Sequence, residues 1–162
     1  MLKSIAKFCI AAVLAGCALG ASAQQGPLPY GMPIALEMAK KIIAGSVAEA
    51  RKNNWGMAVA IADPAGNLVA FERIDETQTG SIKIAIGKAR SAAQFRRPTK
   101  VFQDLLAKGD NFTYLLGLEG AVPVQGGIPI VIGGKIVGAV GVSGGTGEQD
   151  SVVAQAGLDS LK

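Results

Sequence analysis

Apolar residues recur in this chain at two spacings, one helical and one strand-like, and the switches between them mark out the elements. From Pro33 to about Asn53, Ala35, Met38, Ala39, Ile42, Ser46, Val47 and Ala50 share one helical face, with Glu37, Lys40, Lys41, Glu49 and Arg51 largely opposite. Pro33 suits the first turn, where a missing N–H costs nothing. Trp55 to Ala62 then reads as a short apolar strand, Asp63-Pro64-Ala65-Gly66-Asn67 as a turn, and Leu68 to Arg73 as the return strand. Gly80 and Ser81 open a second helix, with Ser81 as its N-cap and Ile82, Ala85, Ile86, Ala89 and Ala93 as its buried stripe. Its many alanines predict close packing. Arg96-Arg97-Pro98 ends it, and a third helix runs from Thr99 to Lys108 with Gly109 at C′.

The clearest local signal lies further on. Ile128 to Ile132 and Lys135 to Ser143 flank Gly133-Gly134, a two-residue hairpin turn. Gly138 and Gly141 inside the return strand predict a bulge or something packed closely over the sheet. Thr146 and Gln149 form a T-x-x-Q capping box that opens a last helix through Leu161. Hairpin connections imply a largely antiparallel sheet covered by helices, an α+β single domain. No internal repeat of 20 to 50 residues is present.

The N-terminus follows different rules. Lys3 and Lys7 precede a twelve-residue apolar run, Phe8 to Leu19, and Ala21-Ser22-Ala23 gives an A-x-A cleavage site before Gln24. Twelve helical residues rise only about 18 Å, short of the roughly 30 Å hydrocarbon core. Residues 1–23 are therefore expected to be a signal peptide, 24–33 a flexible or extended Gly/Pro-rich lead-in, and 34–162 the folded domain. The protein is expected to be periplasmic or secreted. One rival processing route exists, because Leu14-Ala15-Gly16-Cys17 resembles a lipobox, which would leave a lipid anchor on Cys17. Against it, the apolar run continues through Ala21.

Processing after Ala23 changes the composition. It leaves 139 residues, removes Lys3 and Lys7, and lowers the formal charge from +4 to +2. It also removes Cys9 and Cys17, the only cysteines, so the domain has neither a disulfide nor a thiol nucleophile. The chain has no histidine at all. That excludes Ser-His and Cys-His mechanisms and zinc sites of the Cys/His type. No basic stripe interleaved with aromatics is present, so nucleic acid is not an expected partner.

Four motifs remain to be weighed. Val142-Ser143-Gly144-Gly145-Thr146-Gly147 leads into a helix like an anion-cradling turn, with Ser143 and Gly144 as candidate ligand contacts. It lacks a P-loop lysine, and Glu148 and Asp150 already complement the helix dipole, which favours a purely structural turn. Lys88, Arg90, Arg96, Arg97 and Lys100 are the main basic concentration; Lys88, Arg96 and Arg97 are candidates to meet a carboxylate or propionate, or else form a solvated face. Asp75-Glu76 could hold a hard cation or be ordinary surface carboxylates. Tyr30, Met32, Met38, Met57 and Tyr114 are the remaining soft or phenolic side chains able to meet a haem iron, or else core filler.

Segments in three regions of the chain carry a family resemblance. Ala62 to Asp75 resembles the first hairpin of the GlcG/HbpS family. Lys88-Ala89-Arg90 with Phe95 to Lys100 is similar to its central helices. Gly126 to Ile130, Gly138 to Gly145 and Glu148-Gln149-Asp150 resemble its C-terminal half. The resemblance spans roughly Ala35 to Leu158 in order. It implies a profilin-like or PAS-like domain with an antiparallel sheet of about five strands, commonly a homo-oligomer. Exported members include haem-binding proteins that serve sensor kinases; related domains accompany corrinoid adenosyltransferases, and one member is encoded with glycolate oxidation. The expected function is thus small-ligand binding, haem first, without catalysis, accessory to a sensor or a transporter. The alternative is an enzyme or enzyme accessory acting on small hydroxy acids, with Glu119, Asp75 and Lys88 as acid/base groups; a purely structural oligomer is a third reading. Ligation of haem iron by histidine cannot carry over, and no axial ligand is assigned.

Overall fold

The computed structural model describes residues 26–162 of the chain. The expected leader, with Cys9 and Cys17, lies outside the described residues. Four strands, β1 (Ala58–Ala62), β2 (Leu68–Arg73), β3 (Gly127–Ile132) and β4 (Lys135–Ser143), form one antiparallel sheet in the order β2-β1-β4-β3. Helices α1 (Leu36–Lys52) and α4 (Gly147–Asp159) cover one face and α2 (Gly80–Gln94) the other; α3 is Lys100–Leu106. The α+β class with an antiparallel sheet and helical cover is the one expected.

Strand alternation sorts the side chains by size. Met57, Val59, Ile61, Val140 and Val142 point toward α1 and α4, where Ile42, Ile43, Val47 and Val153 complete the main core. Ala58, Ala60 and Ala62 point toward α2 and meet Ala85 and Ala89. They pair across the ladder with Ser143, Gly141 and Ala139, so that face is a pavement of small residues. A Cβ on Gly141 would stand 2.2 Å from the Ala85 carbonyl, which explains the glycine: α2 lies almost on the backbone. The second strand glycine marks a bulge. Ile130 pairs with Gly138 but Val131 with Ile136, leaving Val137 as the extra residue.

Both turns follow their residue chemistry. Gly133 and Gly134 have φ of 56° and 72°, the left-handed pair that a two-residue hairpin needs. In the first turn Asp63 accepts from the Asn67 backbone N–H at 2.9 Å and from its amide at 3.0 Å. Burial opposes ionisation of Asp63, yet these bonds and the backbone N–H groups of Ala65 and Gly66 hold its pKa below 3.8. The Thr146–Gln149 capping box forms with both of its bonds.

Several expectations need correction. The sheet has four strands, not about five. The lead-in contributes only one parallel bridge, Tyr30 to Ile136, in which Ile136 N–H donates to Pro29 O at 2.9 Å and Gly31 N–H to Ile136 O at 2.8 Å. Pro29 and Pro33 have no N–H with which to extend the ladder. Pro33 stays outside α1, which starts at Leu36 behind Ala35. Ser81 is not a cap: the N-cap position is Thr79, and Ser81 is buried in the first turn, its hydroxyl accepting from the Gln78 amide at 2.9 Å. β1 begins at Ala58, because Asn54 turns left-handed (φ 55°) and Trp55 N–H still donates to Ala50 O. The 3₁₀ segment Asp110–Gly117 had no periodic signal to announce it.

Candidate functional site

A large opening lies where the N-terminal half of α1, the outer strand β3 and the C-terminal end of α4 meet. It is a cleft of about 870 Å³, inside the range of roughly 300–1,000 Å³ usual for small-molecule sites. Met38, Ile130, Leu158 and Leu161 supply an apolar floor, and Pro129 to Gly133 supply one wall. Helical spacing sets Met38 one turn before Lys41 on α1, and Leu158 stands in the last turn of α4 with Leu161 just past its end. The wall exists because β3 is an edge strand, with Pro129 in mid-strand and Val131 and Ile132 exposed.

Charge is confined to the rim. Glu37 is taken up by Lys40 at 3.0 Å and Lys162 pairs with Asp159 at 2.5 Å. Lys41 has no ion-pair partner among the described residues. An apolar cleft with the unpaired Lys41 at its rim suits a largely apolar ligand that carries an anionic group. Among the described residues no group of three or more His, Cys, Asp or Glu is placed to hold a metal ion.

Of the residues singled out from sequence Met38 lines this cleft; the others lie elsewhere, and the structure brings only some of them together. Lys88 is the largest fully buried side chain among the described residues. From α2 it passes the end of β3 to reach α4, donating to Asp150 Oδ2 at 2.6 Å and to Val142 O at 3.0 Å. The carboxylate that Lys88 meets is thus the protein's own. Asp150 Oδ1 accepts from Gly145 N–H at 3.1 Å, so the Gly-rich turn wraps a side chain. Burial raises the Asp150 pKa above 3.8, outweighing the pull of Lys88 and of the Gly144 and Gly145 N–H groups. Ser143 is buried beside this pair on the small-residue face, and a Cβ on Gly144 would strike Gly56 O.

Arg96 and Arg97 sit apart from Lys88, past the end of α2. Arg96 is left-handed (φ 53°), and its guanidinium lies 5.4 Å from the Tyr30 ring centre. Arg97 lies over Phe102 at 5.7 Å and donates to Phe95 O. Tyr30 itself donates to Gln94 O at 2.9 Å, which ties the lead-in to α2. Asp75 and Glu76 flank a separate shallow opening with Trp55. Sequence reading missed the cleft as a site. Met38 and the α4 leucines were visible as helix faces, but nothing local shows that two helix ends and an edge strand converge.

Comparison with known proteins gives a consistent picture. Residues 34–159 match the family model described as "Haem degrading protein HbpS-like". Protein GlcG of Escherichia coli K12 is 42% identical over 107 residues, covering 66% of this chain and 78% of GlcG. The crystal structure of a variant of Streptomyces reticuli HbpS superposes with a TM-score of 0.75 at 29% identity, covering 91% of this chain and 99% of that one. Klebsiella pneumoniae protein ORFY superposes with a TM-score of 0.77 at 29% identity, over 85% of this chain and 96% of that one.

Proposed function

This chain belongs to the HbpS-like family, and from that premise we propose that it is an exported haem-binding protein whose cleft between α1, β3 and α4 takes the porphyrin. The cleft carries the reading: its apolar floor would cover the macrocycle, and Lys41 and Lys162 stand where propionates would emerge. The family description names haem as the molecule acted on. Haem would be held mainly by apolar burial, with the lysines fixing its orientation.

Titration of the protein spanning residues 24–162 with hemin tests this. A saturable Soret change at one equivalent is expected. Lys41→Ala with Lys162→Ala should weaken binding by roughly 5- to 30-fold, since each exposed ion pair contributes about 0.5–1 kcal/mol. Absence of saturation, or indifference to a Val131→Glu block of the cleft wall, would overturn the reading. Incubation of the complex with a reductant in air separates carrier from degrading enzyme: a carrier keeps its Soret band, whereas an enzyme bleaches it.

Export belongs to the same proposal. The leader residues lie wholly ahead of the family match, which begins at Ile34. The mature protein should begin at Gln24 in the periplasm or medium; a lipid-modified Cys17 at its N-terminus would instead mean membrane tethering. A sensor or uptake system is the partner class that such a carrier would serve.

A further inference from the structure

Iron in a protein is ligated by a short list of side chains, and in this chain the cleft contains only one familiar haem ligand from that list. Histidine is absent and both cysteines lie in the leader. Tyr30 spends its hydroxyl on Ala93 and Gln94 carbonyls, away from the cleft. Tyr114 belongs to the 3₁₀ segment, stacked at a tilt near Phe112. Met57 is wholly buried beside the Gly144-Gly145 turn, and Met32 stands 83% exposed in the lead-in. Met38 alone of these lines the cleft, partly buried against the main core, with Lys41 one turn on along α1.

We propose that the Met38 thioether is the protein ligand to the iron of the haem held in this cleft. The inference rests on the haem-binding reading. It adds the atom that meets the metal and the electronic consequence of that contact. A thioether is a soft, neutral ligand that favours the reduced iron and raises the reduction potential relative to a histidine or thiolate ligand. Met38 and Lys41 stand one helical turn apart on α1, so the same helix would supply the iron ligand and a partner for a propionate.

Met38→Leu keeps the volume and apolar character and removes the sulfur, so the cleft stays intact. Hemin titrations, electronic and magnetic circular dichroism spectra, and reduction potentials are compared for the parent, Met38→Leu, Met38→His and Met57→Leu. The parent complex should show the weak thioether-to-iron charge-transfer band in the red. Met38→Leu should lose that band, lower the potential and bind hemin about tenfold or more weakly. Met38→His should convert the spectrum to that of a histidine-ligated haem, and Met57→Leu should leave it unchanged. Saturable hemin binding with no thioether band, or spectra and potential unchanged in Met38→Leu, would overturn the ligand assignment while leaving the haem site standing. No saturable binding by the parent would overturn both.

Discussion

Lys88 looks like a ligand-binding cation in the sequence and is a cross-layer tie in the fold. Its ammonium leaves one helical layer, passes the end of the sheet and closes on Asp150 in the other. Removing one partner of such a pair strands a buried charge, so Lys88→Met should cost about 3–5 kcal/mol in chemical denaturation, a loss that Asp150→Asn in the same chain largely restores. Asn would still accept from Gly145 N–H. The pH dependence has a definite sign. Burial holds the Asp150 carboxyl above 3.8, so its contribution to folding is full below about pH 4 and declines as pH rises through the folded value. Without Lys88 that decline should steepen, making Lys88→Met least destabilised in acid. Sequence showed that Lys88 borders an alanine stripe; it could not show that the carboxylate awaiting it is 62 residues away.

Elements with a local cause were legible. β2 needed only its flanking turn, the Gly133-Gly134 hairpin its two glycines, and α4 its capping box. Elements set by tertiary contact were not: Ser81 mimics a cap yet is buried, and α1 starts late because Ile34 N–H is pledged to Val137 O on the sheet. Glycine at 141 was readable as close approach, and the structure identifies α2 as what approaches. Gly141→Ala should therefore cost about 3 kcal/mol in thermal or denaturant unfolding, since neither α2 backbone nor β4 can yield cheaply. The α1–α4 crossing behaves likewise. Ser46 Oγ is buried without a hydrogen-bond partner among the described residues, and a Cβ on Gly157 would strike it. Ser46→Ala should be neutral or mildly stabilising in the same assay, whereas Gly157→Ala should destabilise.

At the scale of the whole molecule, class and family were legible, because patterning and motifs run through nearly the entire domain. The cleft was not. Its floor is assembled from residues 38, 130, 158 and 161, which no local pattern links, and its wall depends on β3 being outermost. The described residues contain no helix long and apolar enough to cross a membrane. Among the described residues, the cleft bounded by two helix ends and a sheet edge is the most voluminous of several openings recorded. Methyl-resolved NMR during hemin titration locates the ligand most directly, because ferric iron broadens nearby resonances. The Met38, Ile130, Val131, Leu158 and Leu161 methyls should broaden, completely at one equivalent, while those of Val59 and Ala89 stay sharp. Broadening centred on the Met57 and Val142 methyls, beside the Gly144 turn and the Lys88–Asp150 pair, or diffuse broadening without saturation, would contradict the cleft as the haem site.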